Sequence, residues 1–261
     1  MAKFYPLFSS SQGNASYIGS KQAGILIDAG TSCKKILNAL DCNVIPPSAV
    51  KGIFITHTHS DHVKGLRVLS KKLNVPVYAS QISLETLESQ EYFHPGTEII
   101  PIDTSPVYCA DCEIIAFPTM HDAPGSIGFR IHTPDDRNCA LCTDLGVVTS
   151  EVKSALRNCD MVLLEANYDH SMLWNGSYPI EVKKRISSQY GHLSNQDSAE
   201  LADYLLRNGT TRLLLGHLSP NNNTPNLAGN TVVQYLQNFR LNVDYLLGIA
   251  PVETSGGAVI F

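Results

Sequence analysis

The sequence lacks the features that mark membrane and secreted proteins. Its 261 residues contain no apolar run of about 18 residues, the length that a membrane-spanning helix requires. Residues 1–11 lack the basic flank, apolar run and small-residue cleavage site of a signal peptide. We therefore expect an unprocessed cytoplasmic protein that does not associate with membranes.

Positive charge is also scarce, because 19 Lys and Arg residues stand against 24 Asp and Glu residues, for a net charge of −5. The chain therefore has no overall basic field of the kind that many nucleic-acid-binding proteins carry, and it would have to attract an anionic substrate locally. Two local clusters exist, although such clusters are commonly only solvated surface. They are Lys64, Arg67 and Lys71 on one face of a predicted helix, and Lys183, Lys184 and Arg185.

Disulfides are not expected, since the seven cysteines are an odd number and the chain is long enough to form a full core without them. Two pairs, Cys109 with Cys112 and Cys139 with Cys142, have the spacing of a zinc knuckle. We predict extended chain rather than a tight turn at both pairs, so a four-cysteine zinc site is not expected.

Short apolar segments alternate with helical patterns along the whole chain, without an internal repeat or a low-complexity linker. The simplest division is a single domain over residues 1–261, with layered sheets and helices outside them. The predicted helices include residues 62–73, 180–190 and 195–207.

The most informative segment is residues 53–62, Ile-Phe-Ile-Thr-His-Thr-His-Ser-Asp-His. A buried apolar strand runs directly into three histidines and an aspartate, which would be costly to bury without hydrogen-bond partners or a metal ion. His57 and His59 alternate along an extended chain and point the same way, whereas Asp61 and His62 lie at the turn into a helix. This pattern predicts metal ligation.

The segment resembles the first metal motif of the metallo-β-lactamase superfamily, and further ligand candidates follow later predicted strands. The resemblance implies a four-layered αββα fold that holds two divalent metal ions. It implies that the first ion binds His57, His59 and His121, that the second binds Asp61, His62 and His217, and that Asp144 bridges the two.

Two divalent ions about 3.5–4 Å apart would lower the pKa of a bridging water and stabilise charge on an attacked phosphorus or carbonyl, so the site is expected to be hydrolytic. Its ligands are nitrogen and oxygen atoms, which admits Zn, Mn and Fe. Because no cysteine belongs to the second set, antibiotic hydrolysis is not expected.

Several further segments are similar to the bacterial WalJ/YycJ-like family of this superfamily. They are residues 9–14, 26–30, 143–146, 165–170, 191–195 and 215–225. This resemblance implies phosphodiester hydrolysis of DNA by a metal-bridging hydroxide, including 5′-to-3′ exonuclease action on duplex ends. Residues 145–216 contain only ordinary strand and helix patterns, so the cap domain of larger nucleases in the superfamily is not expected.

Two residues are candidates for direct catalytic roles. The segment of His192 is also similar to a segment of the tRNA 3′-processing nucleases in which a histidine protonates the leaving oxygen. His192 is therefore either a general acid or a structural histidine before the helix at Asn195. Asp61 would combine metal ligation with orienting the hydroxide. The open alternatives for the whole chain are a hydrolase of small esters, thioesters or lactones, and a regulatory metal-binding protein.

Overall fold

Two β-sheets lie face to face at the centre of the fold, and we describe them from a computed structural model that covers residues 2–261. The first sheet has six strands in sequence order. They are β1 Lys3–Ser10, β2 Gly13–Gly19, β3 Gly24–Ile27, β4 Val50–Phe54, β5 Val77–Ala79 and β6 Ile99–Pro101. Strands β1 to β3 pair antiparallel and strands β3 to β6 pair parallel, so the sheet is mixed.

The second sheet contains the other strands, in the order β13-β12-β11-β10-β9-β8-β7. They are β7 Val107–Cys109, β8 Cys112–Pro118, β9 Ile127–Thr133, β10 Arg137–Cys142, β11 Met161–Glu165, β12 Arg212–Gly216 and β13 Leu246–Ile249. Strands β7 to β10 pair antiparallel, and strands β10 to β13 pair parallel.

Helices cover the outer face of each sheet. They are α1 Cys33–Cys42, α2 Ser60–Val63, α3 Leu66–Leu73, α4 Gln81–Ser89, α5 Ser150–Leu156, α6 His170–Asn175, α7 Ile180–Ile186, α8 Asn195–Arg207 and α9 Pro225–Tyr235, and a short 3₁₀ helix spans Pro47–Ala49. One apolar cluster joins α1, α3 and α4 to the first sheet, and a second joins α5, α8 and α9 to the second sheet. The expected four-layered αββα architecture is confirmed.

A third apolar cluster fills the space between the two sheets. Phe54 of β4 lies at its centre, stacked on Tyr78 at a ring-centroid distance of 4.3 Å and in edge contact with Phe129 of β9 at 5.7 Å. Aromatic pairs of this geometry add about 0.5–1.5 kcal/mol to the free energy that burial provides. This contact fixes β4 against the second sheet, just before the histidine motif that follows β4.

Three local expectations were wrong. The helix predicted over residues 62–73 is interrupted at Gly65, because the backbone N–H of Gly65 donates to the carbonyl oxygen of Ala29 at 2.8 Å instead of continuing the helix. The helix predicted over residues 180–190 ends at Ile186, and an irregular loop continues to His192. Cys109 ends β7 and Cys112 begins β8 in extended chain as predicted, but a tight hairpin turn that was not expected lies between them.

Two predictions about helices can be compared directly with the structure. Helix α8 spans Asn195–Arg207, the range that the sequence predicts, and Ser194 caps it by accepting a hydrogen bond from the backbone N–H of Asp197. Within residues 2–261, no helix has both the length and the apolar character needed to cross a bilayer.

Candidate metal centre

Three predicted ligands converge where β4 and β8 end. The distance between His57 Nε2 and His59 Nδ1 is 3.2 Å, and the distance between His59 Nδ1 and His121 Nε2 is 3.3 Å. A tetrahedral ion with metal–nitrogen bonds of about 2.0–2.1 Å separates its ligand atoms by about 3.3–3.4 Å. The three nitrogens therefore have the spacing that one ion requires.

A second set of atoms lies beside this triad. Asp61 Oδ2 lies 3.6 Å from His62 Nε2 and 3.6 Å from His217 Nε2. Asp144 lies between the two sets, because its Oδ1 is 3.8 Å from His121 Nε2 and 3.5 Å from His217 Nε2, and its Oδ2 is 3.3 Å from His62 Nε2. The structure thus brings all seven predicted ligands into one cluster.

Two buried atoms of this cluster have no hydrogen-bond partner among residues 2–261, namely Asp144 Oδ2 and His217 Nε2. An unpaired polar atom costs about 1–3 kcal/mol when it is buried, so such atoms are rare in folded proteins unless a ligand satisfies them. Both atoms face the second set of ligand atoms. The donor set and its unpaired atoms therefore fit bound divalent cations.

The electrostatics of the cluster also favour a cation. Burial alone would lower the pKa of His217, but Asp144 and neighbouring carboxylates outweigh it and raise that pKa to about 10. Burial would similarly raise the pKa of Asp144, yet His217 and His62 hold it well below its usual value. Without metal, the cluster therefore attracts positive charge as protons, and divalent ions would supply that charge instead.

His57 differs from these groups because burial, with a smaller contribution from His62, holds its pKa well below the usual value. A neutral imidazole is the form that binds a metal ion. The Nδ1 of the ring lies 3.0 Å from Thr56 Oγ1, whose hydroxyl is in turn 3.0 Å from Asp28 Oδ2. This contact fixes the ring and leaves Nε2 directed at the triad.

Asp28 is a buried carboxylate that orients a second predicted ligand. His62 Nδ1 donates to Asp28 Oδ2 at 2.8 Å, and the backbone N–H of Thr56 donates to Asp28 Oδ1 at 2.9 Å. With Nδ1 engaged, the Nε2 of His62 faces Asp61 and Asp144. A carboxylate behind a ligating histidine sets the tautomer and raises the basicity of the ring.

Glu165 is a second buried carboxylate that orients a predicted ligand, His217, on the opposite side of the centre. Its Oε1 accepts from His217 Nδ1 at 2.9 Å and from His192 Nδ1 at 2.8 Å, and its Oε2 accepts from the backbone N–H groups of Leu145 and Leu193 at 3.1 Å each. Burial would raise the pKa of Glu165, but His192 outweighs it and lowers that pKa to about 2. One buried carboxylate thus joins three segments of the site.

Strand ends position these groups through an unusual backbone conformation. Asp28, Asp144 and His217 follow β3, β10 and β12, and each has a positive φ, of 63°, 60° and 55°. Only a few per cent of non-glycine residues adopt this conformation, although Asp and His adopt it more readily than most. Asn167 Nδ2 donates to the carbonyl oxygen of His217 at 2.9 Å, which holds that turn in place.

The loop after β3 packs directly on the histidine motif. Gly30 allows this approach, because a Cβ atom there would lie 1.6 Å from the carbonyl oxygen of Asp61. The backbone N–H of Gly30 donates to the carbonyl oxygen of Asn14 at 2.8 Å, and the side-chain amide of Asn14 lies 3.0 Å from His62 Nε2. The β1–β2 hairpin is thereby fixed against the second set of ligands.

His192 and Asp122 lie at the mouth of the cluster. The His192 side chain is 20% exposed, and its ring lies 5.2 Å from that of His121 and 5.3 Å from that of His217. Asp122 Oδ1 lies 3.4 Å from His59 Nε2, and its Oδ2 accepts from Arg185 Nε at 2.6 Å. His192 therefore faces the candidate metal centre rather than only preceding helix α8.

The site roles of Asp28, Glu165 and Asn14 are not predicted from the sequence. A usable signal exists for the two carboxylates, because each one ends or directly follows a fully buried apolar strand, β3 or β11. Asp144 lies just beyond the end of β10 in the same way. For Asn14 no local pattern exists, because its role depends on the packing of the hairpin against α2.

Comparison with known proteins agrees with this geometry. Residues 24–218 match the family model of the beta-lactamase superfamily domain. The chain is 36% identical over 245 residues to exodeoxyribonuclease WalJ of Streptococcus pneumoniae, covering 92% of this chain and 90% of that protein. It is 34% identical over 244 residues to exodeoxyribonuclease YycJ of Bacillus anthracis, covering 90% of this chain and 89% of that protein.

A solved structure supports the fold independently. The metallo-beta-lactamase fold protein YhfI of Bacillus subtilis is similar with a TM-score of 0.75 and 16% identity, covering 97% of this chain and 98% of that chain. Fold, site geometry and sequence similarity thus agree: the chain belongs to the metallo-β-lactamase superfamily and, within it, to the WalJ/YycJ-like family.

Proposed function

We propose that this protein is a metal-dependent phosphodiesterase that degrades DNA from an end, as an exodeoxyribonuclease. The observation that carries the proposal is the convergence of two sets of ligand atoms on the buried carboxylate of Asp144. The relatives named exodeoxyribonucleases match this chain over about nine tenths of both lengths, which supports DNA as the substrate.

The proposed ligand sets are those that the sequence predicts. His57, His59 and His121 would hold one divalent ion, Asp61, His62 and His217 would hold the second, and Asp144 would contact both. Zn, Mn and Fe all accept these nitrogen and oxygen donors. When bound, the two ions would supply a water of lowered pKa and neutralise charge on the phosphate oxygens.

The remaining site residues position groups and hold protons. His192 Nδ1 donates to Glu165 Oε1, which leaves Nε2 available to hold the proton that the leaving oxygen requires. Asp61 Oδ2 lies 3.3 Å from Asn14 Nδ2, so its carboxylate is fixed where it would orient the attacking water. Buried partners behind the ligands keep this arrangement ready before substrate binds.

The test is nucleotide release from 5′-phosphorylated linear duplex DNA by the Mn²⁺-loaded protein. We expect the wild type to release nucleotides and His59→Ala to release essentially none. His132→Ala is the matched control, because the half-exposed His132 contacts Asp136 on the surface, away from the centre. It should retain wild-type activity, and this comparison excludes a contaminating nuclease.

A closed circular duplex separates the two nuclease modes, since an exonuclease needs an end. If the wild type cleaves the circle and His59→Ala does not, the protein is an endonuclease rather than an exonuclease. Wild type and His59→Ala could instead both be inert on DNA with Mn²⁺, Zn²⁺ and Fe²⁺, while the wild type hydrolyses a small ester or thioester. That result would reject the nuclease and support a hydrolase of small molecules.

We further propose that residues 1–261 form a single domain, because one apolar cluster contains strands of both sheets. A single unfolding transition, seen together by near-UV and far-UV circular dichroism, would agree with this proposal, and two separate transitions would contradict it. The cytoplasmic location stays a prediction from the sequence.

A further inference from the structure

Arg185 lies at the mouth of the candidate metal centre. Its Nε donates to Asp122 Oδ2 at 2.6 Å, and Asp122 Oδ1 lies 3.4 Å from both His59 Nε2 and His121 Nε2. One carboxylate therefore separates the guanidinium from two rings of the first ligand set. The side chain is 65% exposed, so a molecule that enters the centre can reach it.

The contact with Asp122 uses only one edge of the guanidinium. Within residues 2–261, the two terminal nitrogens of Arg185 have no hydrogen-bond partner. These nitrogens present the donor edge that binds a phosphate in a bidentate manner. An ion pair this exposed contributes little to stability, so the fold itself does not require the arrangement.

Other basic side chains nearby are directed elsewhere. Lys183 Nζ donates to the carbonyl oxygens of Trp174 and Gly176, which fastens α7 to the end of α6. Lys184 pairs with Glu181 on the surface of α7. Within residues 2–261, no other lysine or arginine is ion-paired to a carboxylate that itself lies within 4 Å of a candidate ligand nitrogen.

Resting on the proposed function, we propose that Arg185 binds a second phosphate of the DNA strand, next to the phosphate that is cleaved. Asp122 holds the guanidinium through Nε and so aims its free edge. The centre then discriminates in favour of substrates that carry neighbouring phosphates, such as a 5′-phosphorylated strand. An isolated diester with uncharged flanks lacks this contact.

The first test compares two substrates of the full-length, Mn²⁺-loaded protein. One is a 5′-phosphorylated single-stranded oligodeoxynucleotide, and the other is bis(p-nitrophenyl) phosphate, which has one phosphate. In Arg185→Ala, the ratio of kcat/KM for the oligonucleotide to that for the small diester should fall about 10- to 100-fold, mostly through KM. Arg185→Lys should restore part of the ratio, and the exposed neighbour Lys184→Ala should leave it unchanged.

The second test measures binding without turnover, by fluorescence anisotropy of the labelled oligonucleotide with Ca²⁺ in place of Mn²⁺. Loss of one phosphate contact should reduce the slope of log K against log salt concentration by about 0.7 in Arg185→Ala. An unchanged slope, or equal loss of kcat/KM on both substrates, would overturn the proposal, because Arg185 would then act only on the structure of the centre.

The two proposals can fail separately. Arg185-dependent binding of the oligonucleotide without any hydrolysis would support the phosphate contact and reject the nuclease. Hydrolysis of the small diester by a wild-type protein that does not bind the oligonucleotide would reject both.

Discussion

Replacing Glu165 with glutamine tests whether buried carboxylates organise the candidate metal centre. The side chain of Glu165 is fully buried and accepts four hydrogen bonds, two on each oxygen. Glutamine has nearly the same shape, but one of its two terminal groups is a donor. If the amide nitrogen replaces Oε2, two backbone N–H groups face a donor; if it replaces Oε1, His217 and His192 can keep a hydrogen bond only by moving the ring proton from Nδ1 to Nε2.

The expected cost follows from these contacts. A hydrogen bond to a charged group contributes about 1.5–3 kcal/mol, so two such losses lower the free energy of unfolding by about 3–6 kcal/mol. At about 2–4 °C per kcal/mol for a chain of this size, the Tm of the metal-free protein should fall by roughly 6 °C or more. Metal affinity should fall about 10- to 100-fold, because His217 loses the acceptor that fixes its tautomer.

The assays are thermal unfolding of the metal-free protein, followed by circular dichroism, and competition for Zn²⁺ with a chelator of known affinity. Glu200→Gln is the matched control, since Glu200 is exposed on α8 and should change stability by less than about 0.5 kcal/mol. If Glu165→Gln retains both the wild-type Tm and the wild-type metal affinity, the buried carboxylate does not organise the centre and the reasoning fails.

Three further predictions concern the supports of the site and the core. Asp28→Asn should weaken metal binding about 10- to 100-fold in the same chelator competition, whereas the exposed Asp41→Asn should not change it. Gly30→Ala should abolish metal binding or folding because its Cβ would overlap the backbone, whereas Gly229→Ala in helix α9 has space and should raise stability by about 0.5–1 kcal/mol in denaturant unfolding. Phe129→Ala should lower the free energy of unfolding by about 3–5 kcal/mol, and a loss below about 1 kcal/mol would contradict the role of that ring between the sheets.

The sequence was sufficient to predict those structures that depend only on a local pattern of residues. The alternation of His57 and His59, directly after an apolar strand, predicts two rings on one side, and their facing nitrogens lie 3.2 Å apart. Helix α8 was predictable over its full length because its cap and its terminating residues lie within the chain segment itself. The break at Gly65 was not, since the backbone N–H of Gly65 donates to the carbonyl oxygen of Ala29, which belongs to a distant segment.

The candidate metal centre likewise has features that the sequence predicts and features that only the tertiary structure shows. The sequence by itself determined which residue types end the buried strands, and therefore which side chains were candidates for metal ligation. Only the tertiary structure decided which strand ends meet, and thus that Asp28 lies behind His62, that Glu165 joins His217 to His192, and that Arg185 reaches the mouth of the centre. The reason is physical: a ligand pattern depends on the local geometry of one strand, whereas a supporting partner depends on contacts between segments that are distant along the chain.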